Sequence, residues 1–542
     1  MPVIELNKKE VFKLVGKILQ DDKLKERISM LGTDLDEISN ETIKVEIFPN
    51  RPDMLSEEGF SRALSSFIGV KKGLRKYNIK KGKYKVKVDN SVKKVRGAVC
   101  AAVVKDVVLN EVAVKSLMQL QEKLHTTHGL NRKRVSIGVY DLDTIKFPLL
   151  YTTKEKSFRF VPLDMKKELT LLQILSQHPK GRDYASLLEG FEKFPIWIDS
   201  NGRVLSMPPI INSEETKIKE NTKNLFIDVT GMDQQAVEQA LNIIVCSLAD
   251  RGSKVYSVDF GKNKFPNLNP EPWKLDLNKV NSLLGLNLKK SDIKKYLEMM
   301  GHAYDGKNVY VPCYRTNILH QVDLAEDIAI AYGYENFNPE IPNVSTIGEE
   351  DEFENFKNKV ATLLAGLGFF ETNSYNVTNK DIQNKKTNSK NQLIELLNPC
   401  SKDNTVLRYW MIPSLLAILT ENKHYEYPQS IFEIGNCFKK GKTETFVSEE
   451  TNLAIALAHQ KASFTEIKQI VDYFFVSLGL AYKIEEEKHS SFIDGRVGKI
   501  ILNGKIAGIL GEIHPDVITN FDLEMPVSCA ELNLFEIFSA LK

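Results

Sequence analysis

An α+β chain of several domains is the fold class this sequence predicts, and three observations carry the reading. Helical stripes and strand-like runs follow one another with no fixed 20–50-residue repeat. Proline-rich joints interrupt them at two places, and 542 residues are too many for one hydrophobic core. Apolar residues at 42% and charged residues at 27% suit a globular protein. The start, MPVIELNKKEVFKLVGKILQ, lacks a signal-peptide core, and no run approaches the roughly 18 apolar residues of a membrane span. A cytoplasmic location with no membrane partner is therefore expected. Cysteines 100, 246, 313, 400, 437 and 529 form no Cys-x-x-Cys pair, which argues against a zinc site or a disulfide framework.

Along the chain, KEVFKLVGKIL places Val11, Leu14, Val15 and Ile18 on one helical stripe, and IKVEIF alternates like a strand. In PNRPDMLSEEGFSRALSSFIGV, Ser56 with Glu57 and Glu58 marks a helix start and Gly69 its stop, with Arg62 on the helix surface. From Lys71 to Arg96 there are twelve Lys or Arg against one acid, Asp89, although the whole chain has a net charge of only +2. Such a stripe suits RNA phosphates or a plain solvated strand face. AVCAAVVKDVVL then opens an α+β stretch containing RVSIGVYDLDTI, LFIDVTG and the helix MDQQAVEQALNIIVCSLADRG. GKNKFPNLNPEPW reads as a linker, followed by two helix signals and a strand, and NFNPEIPNV as a second joint. The last ~200 residues begin with the amphipathic helix DEFENFKNKVATLLAGLGFFE and continue through the strands QSIFEIGNCFKK and NLAIALAHQ. The expected domains are residues 1–85, 86–265, 270–345 and 346–542.

Two places hold candidate chemistry. In YRTNILHQVDLAEDIAIAYGYENF, Thr316 or Asn317 is the expected N-cap and Gly333 the expected stop. Asp323, Glu326 and Asp327 then share one helix, with Leu324, Ile328 and Ala331 as the opposite buried stripe. Like charges three and four apart repel, so either a divalent cation or a solvated acidic face accounts for them. In PPIINSEET and DVTG, small hydroxyl, amide and carboxyl groups cluster, suited to positioning a water or reading a phenol, or serving as caps and turns.

These motifs resemble phenylalanyl-tRNA synthetase beta subunits of the archaeal and eukaryotic cytosolic type. PNRPDMLSEEGFSRAL is similar to that family's N-terminal domain. LHTTHGLNRKRVSIGVYDLDTI, MPPIINSEETKI and LFIDVTGMDQQAVEQALN are similar to its editing domain. LNPCSKDNTVLRYWMIPSLL, IFEIGNCF and GEIHPDVI are similar to its class II synthetase-like C-terminal domain. The resemblance implies an N-terminal α+β domain, an α+β editing domain, a small helical-plus-strand domain and an antiparallel sheet domain without catalytic motifs. It further implies a ligase of two alpha and two beta chains acting on tRNA(Phe), with ATP bound by the alpha subunit. Magnesium shared with that subunit would fall on Asn317, Asp323, Glu326 and Asp327; Asn317 departs from the family's usual Asp. Hydrolysis of Tyr-tRNA(Phe) would fall on Asn212, Ser213, Thr216, Asp228 and Thr230, with His125, His128 and Arg132 outside that set. A noncatalytic RNA-binding or assembly scaffold with an inactive editing site is the alternative. From Glu349 onward the only arginines are Arg408 and Arg496, too few for the phosphate clamp of a class II core. The chain ends soon after GEIHPDVITNFDLEMPVSCAELNLFEIF, as expected for the archaeal or eukaryotic type rather than the longer bacterial one.

Overall fold

The computed structural model describes residues 2–108, 111–344 and 347–542. The expected domain boundary between residues 345 and 346 lies outside them. The chain divides into two compact units, residues 1–341 and 342–542.

The first unit opens with a three-stranded antiparallel sheet, Thr42–Glu46 lying between Val3–Asn7 and Asp34–Ile38. Its first helix is Lys8–Val15, stopped by Gly16 at φ +83°. That stop removes Ile18 from the predicted stripe and leaves it 80% exposed. Ser56 caps the helix Glu57–Phe67 by accepting from Gly59 N, as the sequence predicts. Arg62 on that helix is not a surface residue. It is buried, ion-paired to Asp250 at 2.6 Å, with its guanidinium 3.8 Å from the centre of the Tyr314 ring.

The centre of this unit is a ten-stranded mixed sheet. Its strands run in the order Ile211–Asn212, Val204–Met207, Lys193–Ile198, Leu149–Glu155, Ile79–Val88, Lys254–Asp259, Ala98–Lys105, Asn224–Gly231 and Val135–Asp141, with Lys264–Phe265 added to Lys254–Asp259. Ala98–Lys105 and Asn224–Gly231 are almost wholly buried, which is why both read as continuous apolar runs. One face packs on the helices Glu111–Thr126 and Gln234–Asp250, through side chains such as Leu120, Leu124, Val237 and Leu241. The other carries Trp197 in ring contact with both Tyr151 and Phe226. The two ends of the sheet approach each other: Asn212 Nδ2 donates to Val139 O at 3.4 Å. A last three-stranded sheet, Asn308–Val311 between Glu271–Lys274 and Ala303–Tyr304, packs with the helices Leu277–Leu284, Lys290–Met299 and Gln321–Tyr332.

The second unit is built on a seven-stranded sheet, antiparallel except for its first pair. The order is Phe370–Glu371, Gln429–Lys440, Val447–Ala458, Val527–Asn533, Lys505–Ile513, Phe492–Leu502 and Lys483–Glu486. Period-two alternation sorts its two faces: Leu453, Ile455 and Leu457 meet the helices Glu352–Gly366, Phe464–Ser477 and Leu534–Leu541, while Ala454, Ala456 and Ala458 meet Ile412–Glu421. Each large side chain so buried contributes roughly 1.5–3 kcal/mol. Among the described residues no helix is long and apolar enough to cross a membrane.

Candidate active site

Where the ends of the ten-stranded sheet converge, the first unit holds a cavity of about 850 Å³. Val114 and Met118 of the helix Glu111–Thr126, with Leu163, Pro208, Pro209 and Ile210, give it apolar walls. Polar side chains line it from the strands, Ser136 and Tyr140 from one, Asp228 from the next, Ser206 and Asn212 from the opposite end, and from the helix, Gln121, Glu122 and His125. A second space of about 340 Å³ shares Val114, Met118, Leu163 and Asn212 with it. A largely apolar recess with a few convergent polar groups is the usual form of a small-ligand site.

Asp228 is the chemical centre of this recess. It is 1% exposed, and the Tyr140 hydroxyl donates to its Oδ1 at 2.5 Å. The same hydroxyl lies 2.7 Å from Ser206 Oγ. Burial pushes the Asp228 pKa up to about 7, against the opposing pull of Tyr140. A carboxyl poised there exchanges donor and acceptor roles at neutral pH. Gly138 stands opposite Asp228 in register, and a Cβ on it would come within 2.0 Å of Tyr140 Oη and 2.3 Å of Asp228 Oδ1. The glycine therefore leaves the room in which the Tyr140 hydroxyl and the Asp228 carboxyl meet. Gly138→Ala is expected to displace both side chains and lower the melting temperature by several degrees while the chain still folds, as circular dichroism melts would show.

The five predicted site residues are not brought together. Asn212 and Asp228 line the cavity. Ser213 accepts from Glu215 N and donates to Val161 O, and Thr216 donates to Leu205 O. Thr230 holds buried Arg96, taking Nε on Oγ1 at 3.0 Å and Nη2 on its carbonyl at 2.9 Å. Arg96 thus leaves the basic stripe for the interior.

Two residues outside the predicted set, His125 and Arg132, line the cavity. His125 Nε2 accepts from Ile137 N at 2.9 Å and Nδ1 faces Glu122 Oε2 at 3.4 Å. Burial lowers its pKa to about 4, so it is neutral at pH 7 and has no ring nitrogen left to serve a serine. Arg132 donates to Ile210 O at 2.9 Å and to Glu122 Oε2 at 3.3 Å, bracing the Pro208–Pro209 wall against the helix. Leu130, Asn131 and Arg132 all have φ between 49° and 65°, a left-handed run that points the guanidinium inward. No apolar period in HGLNRKR signals it.

The acidic helix differs from its sequence reading. Its N-cap is His320, not Thr316 or Asn317, so Asp323 stands in the first turn and accepts from Leu319 N and His320 N through Oδ2, at 2.7 and 2.8 Å. Asp327 belongs to the buried face: it is 3% exposed and bound by Arg315 at 2.7 and 3.0 Å and by His302 at 2.7 Å. Burial opposes its charge, but Arg315 and His302 hold its pKa well below the usual carboxylate range. Asn317 Oδ1 accepts from Arg315 Nε at 2.9 Å, and Glu326 faces solvent. The four predicted magnesium ligands do not fit a single centre, because three already serve donors of this chain. Among the described residues no group of three or more His, Cys, Asp or Glu is arranged to hold a metal ion.

In the second unit both arginines are engaged. Arg408 is buried on Glu433 at 2.6 Å with further bonds to Ser374 Oγ and Asn436 O, and Arg496 pairs with Glu512 at 2.6 Å. The sheet carries no unengaged guanidinium for a nucleotide phosphate among its described residues.

Family models match in sequence: the Phe-tRNA synthetase beta subunit B1 domain over residues 1–70 and the B3/4 domain over 114–246. The tRNA synthetase B5 domain matches 273–334, and the phenylalanyl tRNA synthetase beta chain CLM domain 338–534. The chain is 40% identical to the phenylalanine–tRNA ligase beta subunit of Archaeoglobus fulgidus over 550 residues, 99% of each chain. The Pyrococcus abyssi protein of the same description is also 40% identical, over 99% of this chain and 100% of its own. Among solved structures, an N-terminal fragment of the Pyrococcus horikoshii phenylalanyl-tRNA synthetase beta subunit matches with TM-score 0.58 and 37% identity, covering 61% of this chain and 99% of the fragment. The chain belongs to the family of phenylalanine–tRNA ligase beta subunits.

Proposed function

We propose that this chain acts in a complex of two alpha and two beta subunits that joins L-phenylalanine to tRNA(Phe) with ATP, and that its own cavity hydrolyses Tyr-tRNA(Phe). The observation that carries the hydrolytic reading is Asp228, a buried carboxyl with a raised pKa at the bottom of an apolar recess beside Gly138. An apolar phenylalanine pocket rejects tyrosine by only about 10²-fold, whereas a site that hydrogen-bonds the hydroxyl discriminates far more strongly. A tyrosyl side chain entering the recess brings its phenol to Asp228 and Tyr140 and leaves the ester near Asn212 and Ser136. Water then attacks the ester carbonyl, giving free tyrosine and tRNA. With both His125 nitrogens engaged, positioned water is favoured over a serine nucleophile.

The engaged state of Arg408 and Arg496 supports assigning amino-acid activation and ATP to the alpha subunit. For magnesium shared with that subunit, Asp323 Oδ1 and Glu326 are the outward part of the predicted set, while Asp327 and Asn317 serve the fold. The test of the editing reading is tyrosine release from Tyr-tRNA(Phe) by the assembled enzyme. Release above the buffer rate, reduced at least roughly 10-fold in Asp228→Ala, is expected; release that ignores Asp228 contradicts it.

A further inference from the structure

The lysine stripe singled out in the sequence is not used by the cavity. It forms the strand Ile79–Val88, which lies inside the ten-stranded sheet between Leu149–Glu155 and Lys254–Asp259. Tyr84 and Val86 turn inward to the core, so Lys83, Lys85 and Lys87 stand together on the opposite face, exposed. Alternate residues recur about every 6.7 Å, so three ammonium groups are lined up at close range. Lys264, on the neighbouring added strand, is also exposed, and the one acid in register with Lys85 is Asp259. Asp259 Oδ1 instead accepts from Gly261 N. Among the described residues none of these four lysines has a carboxylate within ion-pair distance, whereas nearby Lys254 is paired to Asp106 at 2.7 Å.

This exposed strand carries like charges without ion-pair partners among the described residues, and Asp259, in register with both Lys85 and Lys264, is the single carboxylate in register with them, so the stretch is net positive and complementary to a polyanion. We propose that Lys83, Lys85, Lys87 and Lys264 form a docking face for the sugar-phosphate backbone of the tRNA whose aminoacyl end the cavity receives. The inference rests on the proposed function for the identity of the RNA. Ammonium groups on a flat strand offer point charges without base-edge readout, so the pairing is made to phosphates and is insensitive to sequence.

The test is the dissociation constant of tRNA(Phe) transcript from the assembled alpha–beta enzyme, measured over a potassium chloride series. Each lysine–phosphate pairing that is removed lowers the slope of log affinity against log salt by about 0.7–0.9. K83Q/K85Q/K87Q is expected to weaken binding at least roughly 10-fold near 0.1 M salt and to lower that slope by about 2–3. The triple arginine variant is expected to restore both, and turnover at saturating RNA is expected to be unchanged. An unaltered dissociation constant and slope in the glutamine variant, with an unchanged melting curve, overturns the proposal. Failure of the editing reading is separate: it would show as absent tyrosine release while the salt slope still responded to the lysines.

Discussion

Asp228→Ala is expected to lower kcat/KM for Tyr-tRNA(Phe) hydrolysis by roughly 10- to 150-fold, the worth of a hydrogen bond to an ionisable group of about 1.5–3 kcal/mol. The loss should be confined to the tyrosyl ester, because a phenylalanyl ring offers the recess no hydroxyl. Stability separates this loss from misfolding. The folded pKa of Asp228 is about 7, above the roughly 3.9 of an unfolded aspartate. The folded state therefore binds a proton more tightly, and that contribution is complete below pH 4 and lost as pH rises through 7. At pH 8 the buried carboxylate costs on the order of 4 kcal/mol, since each tenfold difference in proton affinity is worth about 1.4 kcal/mol. Asp228→Asn, which keeps the shape without the charge, is accordingly expected to melt higher than the natural chain at pH 8 and nearly equally at pH 4. Thermal melts at the two pH values check this, and a lower melting point for Asp228→Asn at pH 8 would contradict the burial of a charged group there.

The second large effect belongs to the acidic helix. Asp327→Ala leaves Arg315 buried without its carboxylate, with Arg51 and His302 nearby in the same charge network. Removing one partner of a buried ion pair costs about 3–5 kcal/mol, so the melting transition of the first unit should fall by on the order of 10 °C. The sign with pH follows from the lowered pKa: this stabilisation is present above about pH 4 and is lost as pH falls further toward the folded value. Glu326→Ala, on the exposed side of the same helix, should shift the transition by within about 0.5 kcal/mol. Comparable losses from both variants would mean that the helix acts through all its acids together, as a metal centre would.

The difference between those two residues also shows what the sequence can and cannot convey. Spacing places Asp323, Glu326 and Asp327 on one helix, but the direction of Asp327 is decided by Arg315 and His302, whose approach depends on a turn and a neighbouring helix end. The N-cap falls later than the sequence predicts because His320, a weak capping residue on average, accepts from Val322 N while Asp323 closes the box. Period-two and period-3.6 patterns are enough to place Ala98–Lys105, Asn224–Gly231 and the helix Gln234–Asp250. The cavity is half legible. Asp228 stands out as an acid within an apolar strand run, and Asn212 as an amide beside a proline pair. Tyr140, Gly138 and Ser206 sit in runs such as SIGVYD that look like ordinary buried strand; long-range pairing of Val135–Asp141 with Asn224–Gly231 sets the first two beside Asp228, and only the closing of the sheet brings Ser206. Thr230 carries the same sequence signal as Asp228 two residues earlier, yet it binds Arg96.

The proposed editing role of Asp228 is tested most directly by comparing Tyr-tRNA(Phe) with Phe-tRNA(Phe) as substrates for hydrolysis by the assembled enzyme, with ATP omitted so that no new ester forms. The tyrosyl ester is expected to be cleaved at least roughly 10-fold faster than the phenylalanyl ester, because only the former offers a hydroxyl for Asp228. Equal rates for the two esters, or rates no greater than in buffer, would contradict it.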